Sequence, residues 1–256
     1  MPALGITGAA VGSTLAELVS LIFFIAYTSR KCDTVKFGLN RPARFEWSEL
    51  RSMMSVSVWT MIQHFFSVST WFIFFLFVEH LGERSLAISN IVRNASGLIW
   101  MVLMAFAATG STLVSNMIGE GRQDSVISLL KRILKLSYAI VILIILLFCL
   151  IPEKIIGIYT DIPDLVEATV PAMIVMTLSY LVNVASLIFF QAVSGTGNTR
   201  MAFCLELVAL FVYMLYCWVI MGVIRADVAV CWTAEYVYAS VMLVLCGWYM
   251  LSLIHI

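Results

Sequence analysis

Seven stretches of this chain are predominantly apolar over 20 or so residues: 7–28, 52–79, 86–117, 133–152, 166–192, 201–224 and 229–252. A bilayer core about 30 Å thick takes a helix of that length. Lipid offers the backbone no hydrogen-bonding partner, so a crossing segment must satisfy its own N–H and C=O groups, as a helix does. The expected fold is therefore all-α and integral to the membrane, with about seven transmembrane helices and membrane lipid as the first partner. Composition points the same way. Only 12% of residues are charged and 62% are hydrophobic, against roughly 25% charge in a soluble domain. With 15 basic and 15 acidic residues the formal charge is zero, which leaves no basic surface for nucleic acid.

Where the basic residues fall predicts orientation. Assigning loops alternately puts Arg30, Lys31, Lys36, Arg41, Arg44, Arg51, Arg122, Lys131, Arg132, Lys135 and Arg200 on one side. Arg84, Arg93, Lys154 and Arg225 fall on the other. The richer side is cytoplasmic by this rule, so the N-terminus of the chain is expected outside the plasma membrane (the inner membrane of a bacterium) and the C-terminus inside. Met1 opens directly onto an apolar span, with no charged residue before Glu17, and after Arg225 no Lys or Arg follows before His255 and Ile256. Both ends lead us to expect a segment of a longer protein. The longest connection, 29–51, holds six basic residues and Pro42 and reads as a linker between a lone helix, 1–28, and a six-helix block, 52–256.

Three stretches carry a resemblance. Phe45-Glu46-Trp47-Ser48-Glu49-Leu50 leads into the second span. Ser115-Asn116-Met117-Ile118-Gly119-Glu120-Gly121-Arg122 closes the third, where glycine permits a left-handed helix end. Gln191-Ala192-Val193-Ser194-Gly195-Thr196-Gly197-Asn198-Thr199-Arg200 joins the fifth to the sixth, a tight turn by composition. In this order and at these loops they resemble the second half of the multidrug and toxic compound extrusion (MATE) transporters. The resemblance implies a twelve-helix exporter with two six-helix lobes around a central cavity, expelling organic, often cationic compounds in exchange for H⁺ or Na⁺. Residues 1–28 would then be the last helix of a first, missing lobe, 29–51 a cytoplasmic interlobe linker, and 52–256 the second lobe. No cofactor is implied beyond the coupling ion.

An ionisable side chain inside a span is costly and marks a functional candidate. Glu206, Glu235, Glu17 and His64 qualify as cation-coupling candidates. Burial disfavours the charged form of a carboxylate, which suits it to take a proton from one side and release it on the other. The alternative is a carboxylate locked to a hydroxyl or Arg for packing, and Glu17 as a contact to the other lobe. Ser57, Thr60, His64, Ser67 and Trp71, flanked by Gln63 and Thr70, form one polar face on the second span. Ser179, Asn183 and Ser186 form another on the fifth. Such faces either join helices or line a wet cavity; the resemblance places both helices at the cavity. Many bacterial members carry a carboxylate on each of these helices, and here Ser67 and Asn183 stand at the corresponding positions, so that ion site is absent or rebuilt.

Other features read as structural. Trp71, Phe72, Phe74, Phe75 and Phe77 are expected chiefly as lipid-facing bulk, with stacking on flat cations as the alternative. Arg93 is expected to snorkel outward or to pair with Glu79 or Glu83, with substrate binding as the alternative. Residues 122–135 read as a polar surface stretch, Pro171 as a kink that is either a hinge or a static bend, and the six scattered cysteines as packing residues. No nucleophile motif, metal-ligand spacing or nucleotide loop is present, which argues against an enzyme. A lipid-linked oligosaccharide flippase of the same superfamily and a seven-helix receptor are the competing readings.

Overall fold

The structure, a computed structural model, describes residues 5–33, 35, 38 and 45–254. The expectations for Lys36, Arg41, Pro42, Arg44, His255 and Ile256 lie outside the described residues. The chain divides into two compact units, 1–50 and 51–256. The first contains α1 (Gly5–Lys31), whose apolar part, Ala10–Lys31, is long enough to cross a membrane. Arg30 and Lys31 close it, basic residues where the helix dipole is negative. Glu17 is exposed on this helix.

The second unit takes up α2 (Trp47–His80) from Arg51 onward. It continues with α3 (Glu83–Gly119), α4 (Val126–Leu150), α5 (Pro152–Ile156), α6 (Pro163–Gly195), α7 (Thr199–Cys217), α8 (Val228–Cys231) and α9 (Ala234–Ile254). All regular structure among the described residues is helical, and seven segments are long and apolar enough to cross a membrane. The chain is thus an all-α, multi-pass membrane protein. A π-helical stretch, Trp218–Val223, extends α7, and α8 and α9 together make the last crossing, Val228–Ser252.

α6 occupies the middle, packed against α3, α4 and α9 and buried over more than half of its apolar length. Small and hydroxylated residues permit this, since in lipid helices associate by close packing and hydrogen bonds. A Cβ on Gly195 would lie 2.6 Å from the Ser111 carbonyl oxygen, so only glycine allows α6 this close to α3. Ser115 Oγ donates to the Gly195 carbonyl (2.6 Å), and Tyr180 on α6 donates to the Ser96 carbonyl on α3 (3.2 Å). The glycine-rich turns behave as their composition predicts: Gly121 takes φ 73° just after α3, and Asn198 caps α7 by accepting from the Met201 N–H (3.2 Å). α6 runs as one helix across Pro171. The six cysteines are free thiols, three of them buried.

Two expectations are corrected. Within the stretch 122–135 read as polar surface, residues 126–135 form the first turns of α4, seven residues ahead of the span read from sequence. Val126, Leu130 and Ile133 are buried on one face while Lys131, Arg132 and Lys135 are exposed on the other, so helical amphipathicity accounts for both sets. The aromatic run on α2 also does not face outward as a block. Phe74 is 1% exposed, with its ring centroid 5.2 Å from that of fully buried Trp232, and Trp71 lies 6.3 Å from the same indole. Phe72 is the exposed member, since consecutive residues of a helix point 100° apart.

Candidate functional site

α2, α3, α6, α7 and α9 enclose a cavity of about 410 Å³ within the second unit. From α2 it receives Gln63, His64, Ser67, Thr70 and Trp71; Ser57 and Thr60, a turn or two earlier, do not line it. Asn183 lines it from α6. Ser179 and Ser186 are instead buried in helix packing, and Ser179 Oγ donates to its own helix at the Met176 carbonyl (2.7 Å). Glu206 and Glu235 both reach the cavity; Glu17 lies on α1, in the first unit.

Glu206 is 4% exposed, and three side chains from two other helices surround its carboxylate. Ser67 Oγ on α2 donates a short hydrogen bond to Oε1, and the Tyr238 hydroxyl on α9 donates a longer one to the same atom (3.4 Å). Gln63 stands within hydrogen-bonding reach. Its Oε1 and the second Glu206 oxygen, Oε2, are buried without a partner among the described residues. Ser67 occupies one of the positions where the resemblance leads one to look for an acid. The structure brings an acid there after all, from α7. Asn183, at the other such position, donates to the Ser179 carbonyl on its own helix (3.3 Å).

Glu235, at the start of α9, is 7% exposed and accepts from the Tyr213 hydroxyl on α7 (3.4 Å). The two acids are therefore cross-bonded: the α7 acid to an α9 tyrosine, the α9 acid to an α7 tyrosine. The tyrosine rings meet edge to face with centroids 6.0 Å apart. Neither acid takes part in an ion pair among the described residues, where the two ion pairs are Arg84–Asp164 and Arg122–Glu120. Among those residues no group of three or more His, Cys, Asp or Glu side chains could hold a metal ion.

The tyrosines are the site residues that the sequence reading does not single out. Tyr213 lies seven residues after Glu206 and Tyr238 three after Glu235, so each shares a helix face with the acid on its own helix. That spacing was a visible signal, although it does not reveal the crossing. Arg93 is exposed and, among the described residues, forms no ion pair with Glu79 or Glu83; its guanidinium lies 4.8 Å from the centre of the Phe75 ring and lines the cavity. The cavity supplies the polar surroundings that lipid denies, which is the physical reason for its place.

The MatE family model matches residues 60–219. The chain belongs to this family, whose members are transporters and not enzymes. A probable multidrug resistance protein NorM from Thermotoga maritima is 26% identical over 203 residues, 77% of this chain and 42% of that protein. The multidrug export protein MepA of Staphylococcus aureus is 23% identical over 199 residues, covering 77% and 43%. A solved structure of a MOP superfamily transporter from Pyrococcus furiosus shares the fold at a TM-score of 0.66 and 15% identity, over 78% of this chain and 44% of that one. The chain spans rather less than half the length of the relatives it matches.

Proposed function

We propose that residues 52–256 form the second lobe, and residues 1–28 the last helix of the first lobe, of a two-lobe exporter in the plasma membrane. This exporter expels organic, mainly cationic compounds in exchange for entering H⁺ or Na⁺. The relatives' function as drug exporters supports efflux, and the family excludes the receptor reading. The chain's N-terminus lies outside and its C-terminus in the cytoplasm, with 29–51 as a cytoplasmic linker, on the strength of the loop charges.

The observation that carries the coupling is the setting of Glu206. It is a buried carboxylate with no cationic partner among the described residues, faces the cavity, and holds α2 to α7 through Ser67. Its neighbours suit two protonation states. The Gln63 amide beside it carries both an acceptor and a donor, and its oxygen suits the protonated acid. With the amide turned round, its NH₂ could donate to the ionised acid. Taking up or losing a proton therefore changes what Glu206 offers α2. Glu235 serves as a second candidate, and His64 lines the same cavity.

The test uses the full-length protein. Glu206→Gln keeps the shape and removes the charge; it is expected to abolish efflux driven by a proton or sodium gradient while leaving the protein in the membrane at its normal level. Undiminished gradient-driven efflux by this variant removes Glu206 from the coupling.

A further inference from the structure

The outward side of α4 changes character along its length. Lys131, Arg132 and Lys135 are exposed on it near the start, and Lys135 lies four and three residues from the other two, so that it neighbours both on the helix surface. Beyond them the same side is apolar: Leu136, Leu143 and Leu147 are each more than half exposed. The opposite side is buried in the lobe, where α4 packs on α3 and α6. A crossing takes about 20 residues. Counted back from Leu150, where α4 ends, that length reaches Lys131, so the three cations stand at the edge of the hydrocarbon and not out in water. Helical side chains lean toward the N-terminus, which carries all three charged heads back to the level of the lipid headgroups. Among the described residues none of the three takes part in an ion pair, whereas Arg122 is paired with Glu120 (3.2 Å). Like charges so close repel one another, and a bound anion relieves this.

We infer that Lys131, Arg132 and Lys135 form a docking surface for an anionic phospholipid. The lipid phosphate meets the three charged heads, and the acyl chains lie along Leu136, Leu143 and Leu147. The Arg132 guanidinium binds two phosphate oxygens through its planar fork, and the lysines add point charges on either flank. Depth selects a lipid over a free anion. A phospholipid phosphate is already held at that level by its chains, while a dissolved phosphate would have to give up water to reach it. By the loop charges this is the cytoplasmic side, whose leaflet carries anionic lipid. None of these residues lines the cavity, so the surface is separate from the site for transport. Because α4 packs on α3 and α6, a lipid bound there stabilises the folded lobe by mass action.

The test titrates lipid into the purified full-length protein in detergent and reads the affinity from the rise in melting temperature. Phosphatidylglycerol and phosphatidylcholine with the same acyl chains are compared, with glycerol phosphate as the headgroup without chains. The wild type is expected to bind phosphatidylglycerol far more tightly than either of the others, and less tightly as salt is raised. Changing Lys131, Arg132 and Lys135 together to glutamine is expected to weaken phosphatidylglycerol binding about a hundredfold, at about fivefold for each residue, and to leave phosphatidylcholine as it was. Arg132→Gln alone, with its loss of about fivefold, carries the test should the triple variant be absent from the membrane. Unchanged affinity for phosphatidylglycerol in the variants overturns the inference, and so does equal affinity of the wild type for the two lipids. Glycerol phosphate bound as tightly as the lipid also overturns it, because the surface then takes free anions. Transport enters none of these readouts, so their failure leaves the efflux reading intact, and failure of efflux in Glu206→Gln or in the wild type leaves the docking surface intact.

Discussion

Along α3 and α6 two backbones approach so closely that one methyl group on Gly195 has no room beside Ser111, whereas α2 reaches the same lobe mainly through side chains. Its attachments are few and chemically distinct. Phe74 and Trp71 lie against Trp232, Ser67 Oγ donates to Glu206, and Thr199 Oγ1 donates to the Val56 carbonyl (3.1 Å). In lipid there is no gain from hiding one apolar surface against another, so backbone proximity and hydrogen bonds decide what is rigid. The difference teaches that the α3–α6 pair is the frame and α2 the element whose hold can be altered by one titratable group. Glu206, the acid proposed for coupling, lies between α2 and α7, where a change of charge would act on the weaker joint.

Three changes would break or sharpen this contrast, each made in the full-length protein. Gly195→Val forces the α3 and α6 backbones apart and is expected to cost about 3 kcal/mol, the upper range for overpacking. Thermal melts in detergent read the loss, and a fall in melting temperature no larger than for a surface change would deny α6 its role as frame. Trp232→Ala removes the aromatic seat of α2. Lipid cancels much of the transfer part of the usual penalty, so about 2 kcal/mol is expected. Amide hydrogen exchange should quicken along α2 and stay slow along α3 and α6; quickening of all three would erase the distinction. Thr199→Val deletes one hydrogen bond to the α2 backbone, worth about 0.6 kcal/mol in a membrane protein. Its melt should shift least of the three, with exchange altered near Val56 alone.

Much of the architecture was legible beforehand. The seven spans and the glycine turns after α3 and α6 follow from local physics, length against bilayer thickness and backbone freedom at glycine. Where local signals conflicted, reading failed. Lys131, Arg132 and Lys135 pulled the expected start of α4 seven residues too late, because a hydropathy average cannot separate the two faces of an amphipathic turn. The aromatic run on α2 reads as one surface in the linear sequence, but a helix distributes such a run around its axis. At the site, Glu206, Glu235, Ser67 and Asn183 could be singled out by residue type and depth. Their partners could not. Ser67 and Glu206 are 139 residues apart, and the exchange of tyrosines between α7 and α9 depends on how those helices are rotated against each other.

By itself, then, the sequence determined that this chain crosses a membrane as helices, roughly where each begins and ends, and which residues are too costly in lipid to be idle. Those are one-dimensional matters, governed by the solvent around each segment and the conformations each residue permits. Only the tertiary structure decided that the α7 acid reaches a serine on α2, that Ser57, Thr60, Ser179 and Ser186 stay outside the cavity lining, and that Arg93 belongs to it. The reason is that lipid lets an apolar helix turn any face outward at little cost. Packing and hydrogen bonds between distant segments, and not hydropathy, then select the rotation of each helix and with it the partners of every polar group.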